Sequence, residues 1–115
     1  MNLKIKTLSY FDKDVKRLFK KYKQLPSDLK TLKQELDENP KAGIELGNSC
    51  YKIRLANSSI PTGKSGGFRI IYYYIDSKDN LYLMSMYSKS ELENIDDKII
   101  LQILKENTLL GNHIA

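Results

Sequence analysis

Leu3 and Ile5 alternate with Lys4 and Lys6 at the start of the chain, the period of a half-buried strand whose lysines suit a sheet edge. The period then lengthens. Asp12 can cap a helix in which Val15, Leu18, Phe19 and Tyr22 recur at i, i+3, i+4 and i+7, an apolar stripe set among lysines. Pro26 closes the connection. A second helix is predicted from about Ser27, with Leu29, Leu32 and Leu36 on its buried side, and Asn39 and Pro40 stop it. Two short helices joined by a few residues form an antiparallel hairpin. Gly43, Gly47 and Asn48 read as a loop.

Alternation at period two returns over residues 50–56, 67–75 and 81–88, three predicted strands. Residues 76–80 supply turn chemistry for a short hairpin, so the last two strands are antiparallel neighbours. The other connection is longer. Its Pro61, Gly63, Gly66 and Gly67 leave Lys64 on a flexible tip. Ser90 and Glu93 have the spacing of a capping box, and Ile95, Ile99, Ile100, Ile103 and Leu104 carry an apolar stripe through a closing helix. The predicted order is strand, helix, helix, three strands, helix, with no internal repeat.

A length of 115 residues fits one domain, residues 1–115, large enough to bury a single core. With 41% hydrophobic and 29% charged residues, it has the composition of an ordinary globule. No apolar run approaches the ~20 residues that span a bilayer, and the N-terminus lacks the apolar stretch of a secretory signal, so a cytoplasmic address and no membrane partner are expected. Cys50 is the only cysteine and sits in an apolar run, which fits a buried thiol. The net charge of +5 is unevenly spread: residues 1–25 hold eight Lys/Arg against two Asp, and residues 41–75 hold five against one Glu. That asymmetry suits a nucleic acid or an acidic partner. The lysines around residues 13–23 serve equally as a solvated helix face.

Candidate chemistry follows from where the cations fall. Lys52, Arg54, Arg69 and Lys89 occupy polar slots in or beside the three strands, and no acidic residue interrupts the run from Lys52 to Ile75. On one sheet face they would hold a polyanion. A nitrogen or sulfur metal site cannot be assembled from one histidine, His113, and one cysteine. Glu91, Glu93, Asp96 and Asp97 are explained by a helix N-terminus without a metal. The stretch PTGKSGG lacks the first glycine of a phosphate-cradling loop and leads into a strand. Neither a metal nor a cofactor is expected. RNA cleavage through its own 2′-hydroxyl needs a base, positive charge on the phosphate oxygens and an acid for the leaving 5′-oxygen. Cations crowding Lys52 disfavour its protonated form and make it the candidate base; Arg54 and Arg69 are the candidate oxyanion clamps. The alternative is four plain surface cations.

The ordered combination YKIRLA, then GKSGGFRIIYYY, then LYLMSMYSKSELENI resembles the RelE/ParE toxin superfamily, particularly its RelE/HigB-like branch of type II toxin–antitoxin toxins. The resemblance implies a small α+β fold, a curved antiparallel sheet with an N-terminal helical hairpin and a C-terminal helix. It implies a metal-independent mRNA interferase that enters the ribosomal A site, cuts translated mRNA and inhibits translation, and is silenced by a cognate antitoxin, operator DNA being met only through the antitoxin complex. Lys52 and Arg54 match the basic pair on a strand, Arg69 the phosphate-binding arginine and Lys89 the basic position after the last strand. Ser90 stands where the family pattern has a second basic residue, so the acid falls to Lys89 or Tyr87. Tyr72 and Tyr74 have core parity, whereas Tyr73 lies on the face of Arg69 and Tyr87 has the strand parity of Lys89; both are expected, with Lys64, to touch RNA. Two alternatives belong to the same superfamily: a non-enzymatic ParE-like toxin that binds DNA gyrase, and an inactive antitoxin-binding homologue.

Overall fold

The computed structural model describes residues 3–61 and 63–109; His113 lies outside the described residues. The elements run β1 (Lys4–Thr7), α1 (Ser9–Phe19), α2 (Leu25–Glu38), β2 (Ile44–Gly47), β3 (Cys50–Leu55), β4 (Phe68–Tyr74), β5 (Asn80–Ser88) and α3 (Asp97–Glu106). The strands form one sheet in the order β1-β5-β4-β3-β2. β1 takes an edge, as its lysines predict. It pairs parallel with β5 from Lys4↔Asn80 to Thr7↔Leu83, while the other pairs are antiparallel. The sheet is therefore mixed, a correction to the antiparallel sheet expected. A parallel pair needs a long connection between its strands, and two helices and three strands separate β1 from β5.

Two local readings also change. Residues 44–47, expected as loop, form an edge strand, because Asn48 and Ser49 take left-handed conformations (φ 52° and 63°) and close a two-residue hairpin onto β3. The glycines that signalled a loop frame a strand too short to show a period. The capping box at Ser90 does not form either: α3 begins at Asp97 and is capped by Asp96, whose side chain accepts from Lys98 N at 2.9 Å.

The sheet separates two apolar layers. On one face Phe11, Leu18, Leu25, Leu32 and Leu36 from α1 and α2 bury Ile53, Leu55, Ile70 and Tyr72. On the other, Ile100, Ile103 and Leu104 of α3 cover Cys50, Ile71, Tyr73, Met84 and Tyr87. Tyr72 shows why the 40–43 connection is fixed: its buried hydroxyl donates to Pro40 O at 2.8 Å and accepts from Gly43 N at 3.0 Å. A side chain at Gly43 would meet Lys52 O at 2.8 Å, so only glycine fits against β3 there.

Beyond Leu83, β5 has no strand beside it on the β1 side, and side chains take the place of one. Asp14 on α1, nearly buried, accepts from Met86 N at 2.9 Å and Ser85 Oγ at 3.0 Å. Arg17 joins it, donating to Asp14 at 2.6 Å and to Glu91 at 2.7 Å. Glu91 then accepts from Ser88 N at 3.2 Å. The backbone donors of this strand end are thereby satisfied, which a buried sheet edge requires.

Candidate functional site

β3 alternates Tyr51, Ile53 and Leu55 toward the two-helix layer with Cys50, Lys52 and Arg54 toward the other face. Register then decides which cations meet. Arg54 lies directly opposite Arg69 on β4, Arg69 lies opposite Tyr87 on β5, and Lys52 lies opposite Ile71. The Lys89 amide donates to Gly67 O at 3.0 Å and extends the ladder past Ser88, so strand alternation brings Lys89 to the same end of the sheet. Lys52, Arg54, Arg69 and Lys89 thus share one corner of the face that α3 leaves uncovered. Among the described residues none of the four has a carboxylate within ion-pair distance.

They are not equivalent. Arg54 and Lys89 are exposed and Lys52 half-buried, but Arg69 is only 5% exposed. The Arg69 guanidinium donates to Lys64 O at 3.1 Å, Phe68 O at 3.3 Å and Ser65 O at 3.0 Å, holding the β3–β4 connection in place. Burial lowers its pKa, and the facing charge of Arg54 lowers it further. Lys52 Nζ donates to Asn94 Oδ1 at 3.1 Å, tying β3 to the segment before α3.

The expected RNA contacts are placed differently. Tyr73 shares the Arg69 face but is 7% exposed beneath α3, with its ring beside Tyr82 and its hydroxyl 3.5 Å from Leu109 O; it packs as core and has no open ring face to stack on a base. Tyr87 is 3% exposed, and its hydroxyl is buried without a partner in hydrogen-bond geometry. Burial raises the Tyr87 pKa against a smaller opposing pull from the nearby Ile95 amide and Arg69. That shift makes it a poorer proton donor than an ordinary tyrosine. Lys64 is exposed, yet its amine turns to Glu35 of α2 at 3.8 Å, toward the two-helix layer. In the α1–α2 connection Lys21 and Lys23 sit over the rings of Tyr22 and Phe19.

Sequence reasoning missed Asp14, Arg17, Asn94 and the hydroxyls of Tyr22, Ser88 and Ser90. Asp14 and Arg17 had a signal, the i, i+3 spacing of an ion pair on a helix. Asn94 had none, since its partner is 42 residues away. Ser90 Oγ lies 3.2 Å from Ser88 Oγ and 3.4 Å from the Tyr22 hydroxyl, and the Ser90 contact lowers the Tyr22 pKa. Cys50 is buried, and desolvation pushes its thiol up to about 12, which fits the packing role read from its neighbours.

No family model matches the chain. Its architecture, three helices on a five-stranded mixed sheet, is the RelE-like α+β fold. It is similar to the Escherichia coli toxin RelE in the free state, solved as a double arginine-to-alanine mutant, with a TM-score of 0.58 and 22% identity over 92% of this chain and 98% of that one. It is also similar to a crystal structure of the isolated Escherichia coli RelE toxin, with a TM-score of 0.52 and 21% identity over 89% of this chain and 95% of that one. The family resemblance read from the strand motifs thus holds at the level of the fold. No helix among the described residues is long and apolar enough to cross a membrane.

Proposed function

We propose that this protein is the toxin of a type II toxin–antitoxin pair and a metal-independent endoribonuclease acting on translated mRNA in the ribosomal A site. The observation that carries the reading is the direct cross-strand opposition of Arg54 and Arg69, with Lys52 and Lys89 close by and no carboxylate partner among the described residues. Like charges facing each other across strands are unfavourable by themselves, so a polyanionic ligand is what such a corner favours.

In the mechanism Lys52 takes the 2′-hydroxyl proton, O2′ attacks phosphorus and the P–O5′ bond breaks. Arg54, the exposed guanidinium, holds the phosphate oxygens as they gain charge, while buried Arg69 adds fixed positive potential from behind. Lys89 gives the departing O5′ its proton or holds the phosphate. The products are a 2′,3′-cyclic phosphate and a 5′-hydroxyl. A cognate antitoxin silences the toxin by covering this face and the exposed apolar Ile44 and Leu46 at the adjoining edge. Action on ribosomes places the protein in the cytoplasm.

Mapping transcript 5′ ends after a brief pulse of expression tests the proposal. New ends within translated regions for the wild type, absent for Arg54→Ala, are the expected result. Growth arrest with intact transcripts and DNA damage signalling would replace it with the gyrase-binding alternative, and no arrest with an inactive homologue.

A further inference from the structure

The segment before α3 reads ELENIDD over residues 91–97, four carboxylates around one amide. The carboxylates with a described contact are engaged elsewhere: Glu91 with Arg17 and the Ser88 amide, Asp96 with the first turn of α3. Ile95 packs into the α3 layer beside Tyr87. Between these anchors the side chain delivered to Lys52 is the neutral one, Asn94, whose Oδ1 accepts from Lys52 Nζ at 3.1 Å.

That choice of group has a chemical consequence. A carboxylate at this distance would hold the amine as ammonium, because an opposite charge favours the charged form. An amide oxygen accepts an N–H from the amine whether it carries three protons or two, so the contact survives deprotonation and leaves the new lone pair outside the bond. Lysine on a flexible four-carbon stem otherwise has many places to put that lone pair. The remaining charged or titratable groups around Lys52 are Arg54 on β3, Arg69 on β4, the buried Cys50, Tyr73 and Tyr87 on the same face, and Glu93 beside Asn94 in the chain, while its neighbours across the register, Ile71 on β4 and Ile44 on β2, are uncharged. Asn94 is therefore a neutral anchor for Lys52.

We propose that Asn94 is a positioning residue for Lys52, a neutral acceptor that fixes the amine beside Arg54 and leaves its lone pair free for the 2′-hydroxyl proton. The inference rests on Lys52 being the base. The test is single-turnover cleavage of a defined message held on purified ribosomes, comparing wild type, Asn94→Ala, Asn94→Asp and Lys52→Ala. Asn94→Ala lowers the saturating rate about tenfold, with half-saturation unchanged, as expected when a reacting group is misplaced and binding is not. Asn94→Asp lowers the neutral-pH rate further and moves the rising limb of the pH profile upward, because an adjacent carboxylate favours the ammonium form. Both variants keep the wild-type melting temperature because Asn94 is exposed. If both follow the wild-type rate and pH profile while Lys52→Ala is inactive, the positioning role is overturned and the base assignment stands. A raised half-saturation at unchanged rate makes Asn94 an RNA contact instead. If Lys52→Ala cleaves like wild type, the base assignment falls and the role of Asn94 with it.

Discussion

Arg54 and Arg69 face each other across one pair of strands, yet they answer to different physics. Arg54 is exposed, so Arg54→Ala should leave the unfolding free energy from urea titration within about 0.5 kcal/mol of wild type and reduce mRNA cleavage by roughly a hundredfold or more. Arg69 is buried on three carbonyls, and Arg69→Ala strands those acceptors and unpins the β3–β4 connection. Denaturant titration of Arg69→Ala should show a loss of about 2–4 kcal/mol. The strand pattern could not separate the two, because alternation assigns a face and says nothing of how deep along that face a side chain sits. Arg69, expected like Arg54 as a phosphate clamp, is instead 5% exposed behind it. A wild-type midpoint for Arg69→Ala would mean that its carbonyl contacts contribute nothing in solution.

At the scale of elements, β5 depends on α1 where β1 gives out. Asp14 satisfies the Met86 amide and the Ser85 hydroxyl and anchors Arg17, so Asp14→Ala removes the acceptor for three donors at once. The expected cost is about 3 kcal/mol, with faster hydrogen exchange at Met86 and Ser88 before exchange rises elsewhere. Protection unchanged at Met86 would show that the edge is held by something other than α1. A second element-scale test lies at Gly67, where β4 begins: a Cβ there would collide with the Leu55 carbonyl and sit 2.9 Å from Asn57 N. Both contacts are backbone, so Gly67→Ala must shift the start of β4 and should disturb the placement of Arg69 two residues on. Purified Gly67→Ala is expected to lose cleavage together with stability, whereas Arg54→Ala loses cleavage alone. The ends of α1 and α2 were legible within a few residues because apolar periodicity and prolines act locally, although Asp12, expected as the cap of α1, lies within its first turn. The edge strand β2 and the start of α3 were not, since a two-residue hairpin and the cap made by Asp96 decided them.

Across the whole molecule two balances can be measured. The open corner offers three accessible cations, Lys52, Arg54 and Lys89, so affinity for single-stranded RNA off the ribosome should fall with a log–log salt slope of about −2. A much steeper slope would bring the lysines of α1 and of the α1–α2 connection into the same binding site. The second balance is alkaline stability. Burial pushes the Cys50 thiol from near 9 and the Tyr72 hydroxyl from near 10 up to about 12 in each case. Above pH 9 the unfolded chain ionises these groups while the fold holds them neutral, so stability is untouched below pH 9 and falls as pH rises toward 12. Cys50→Ala should flatten the first part of that decline, followed by urea titration at each pH; an identical slope would place the loss elsewhere.

Apolar spacing alone determined that the chain would make a sheet with helices packed on it, and residue type alone determined that its polar strand slots carry cations suited to a phosphate backbone. Both are local properties, readable wherever a period of two or of nearly four repeats. Only the tertiary structure decided that Arg54 meets Arg69, that Arg69, Tyr73 and Tyr87 lie buried, that Lys64 turns to the helices and that Asn94 reaches Lys52. The physical reason is that register and layer packing join residues tens of positions apart, and a pattern of period two or four carries no record of such pairings.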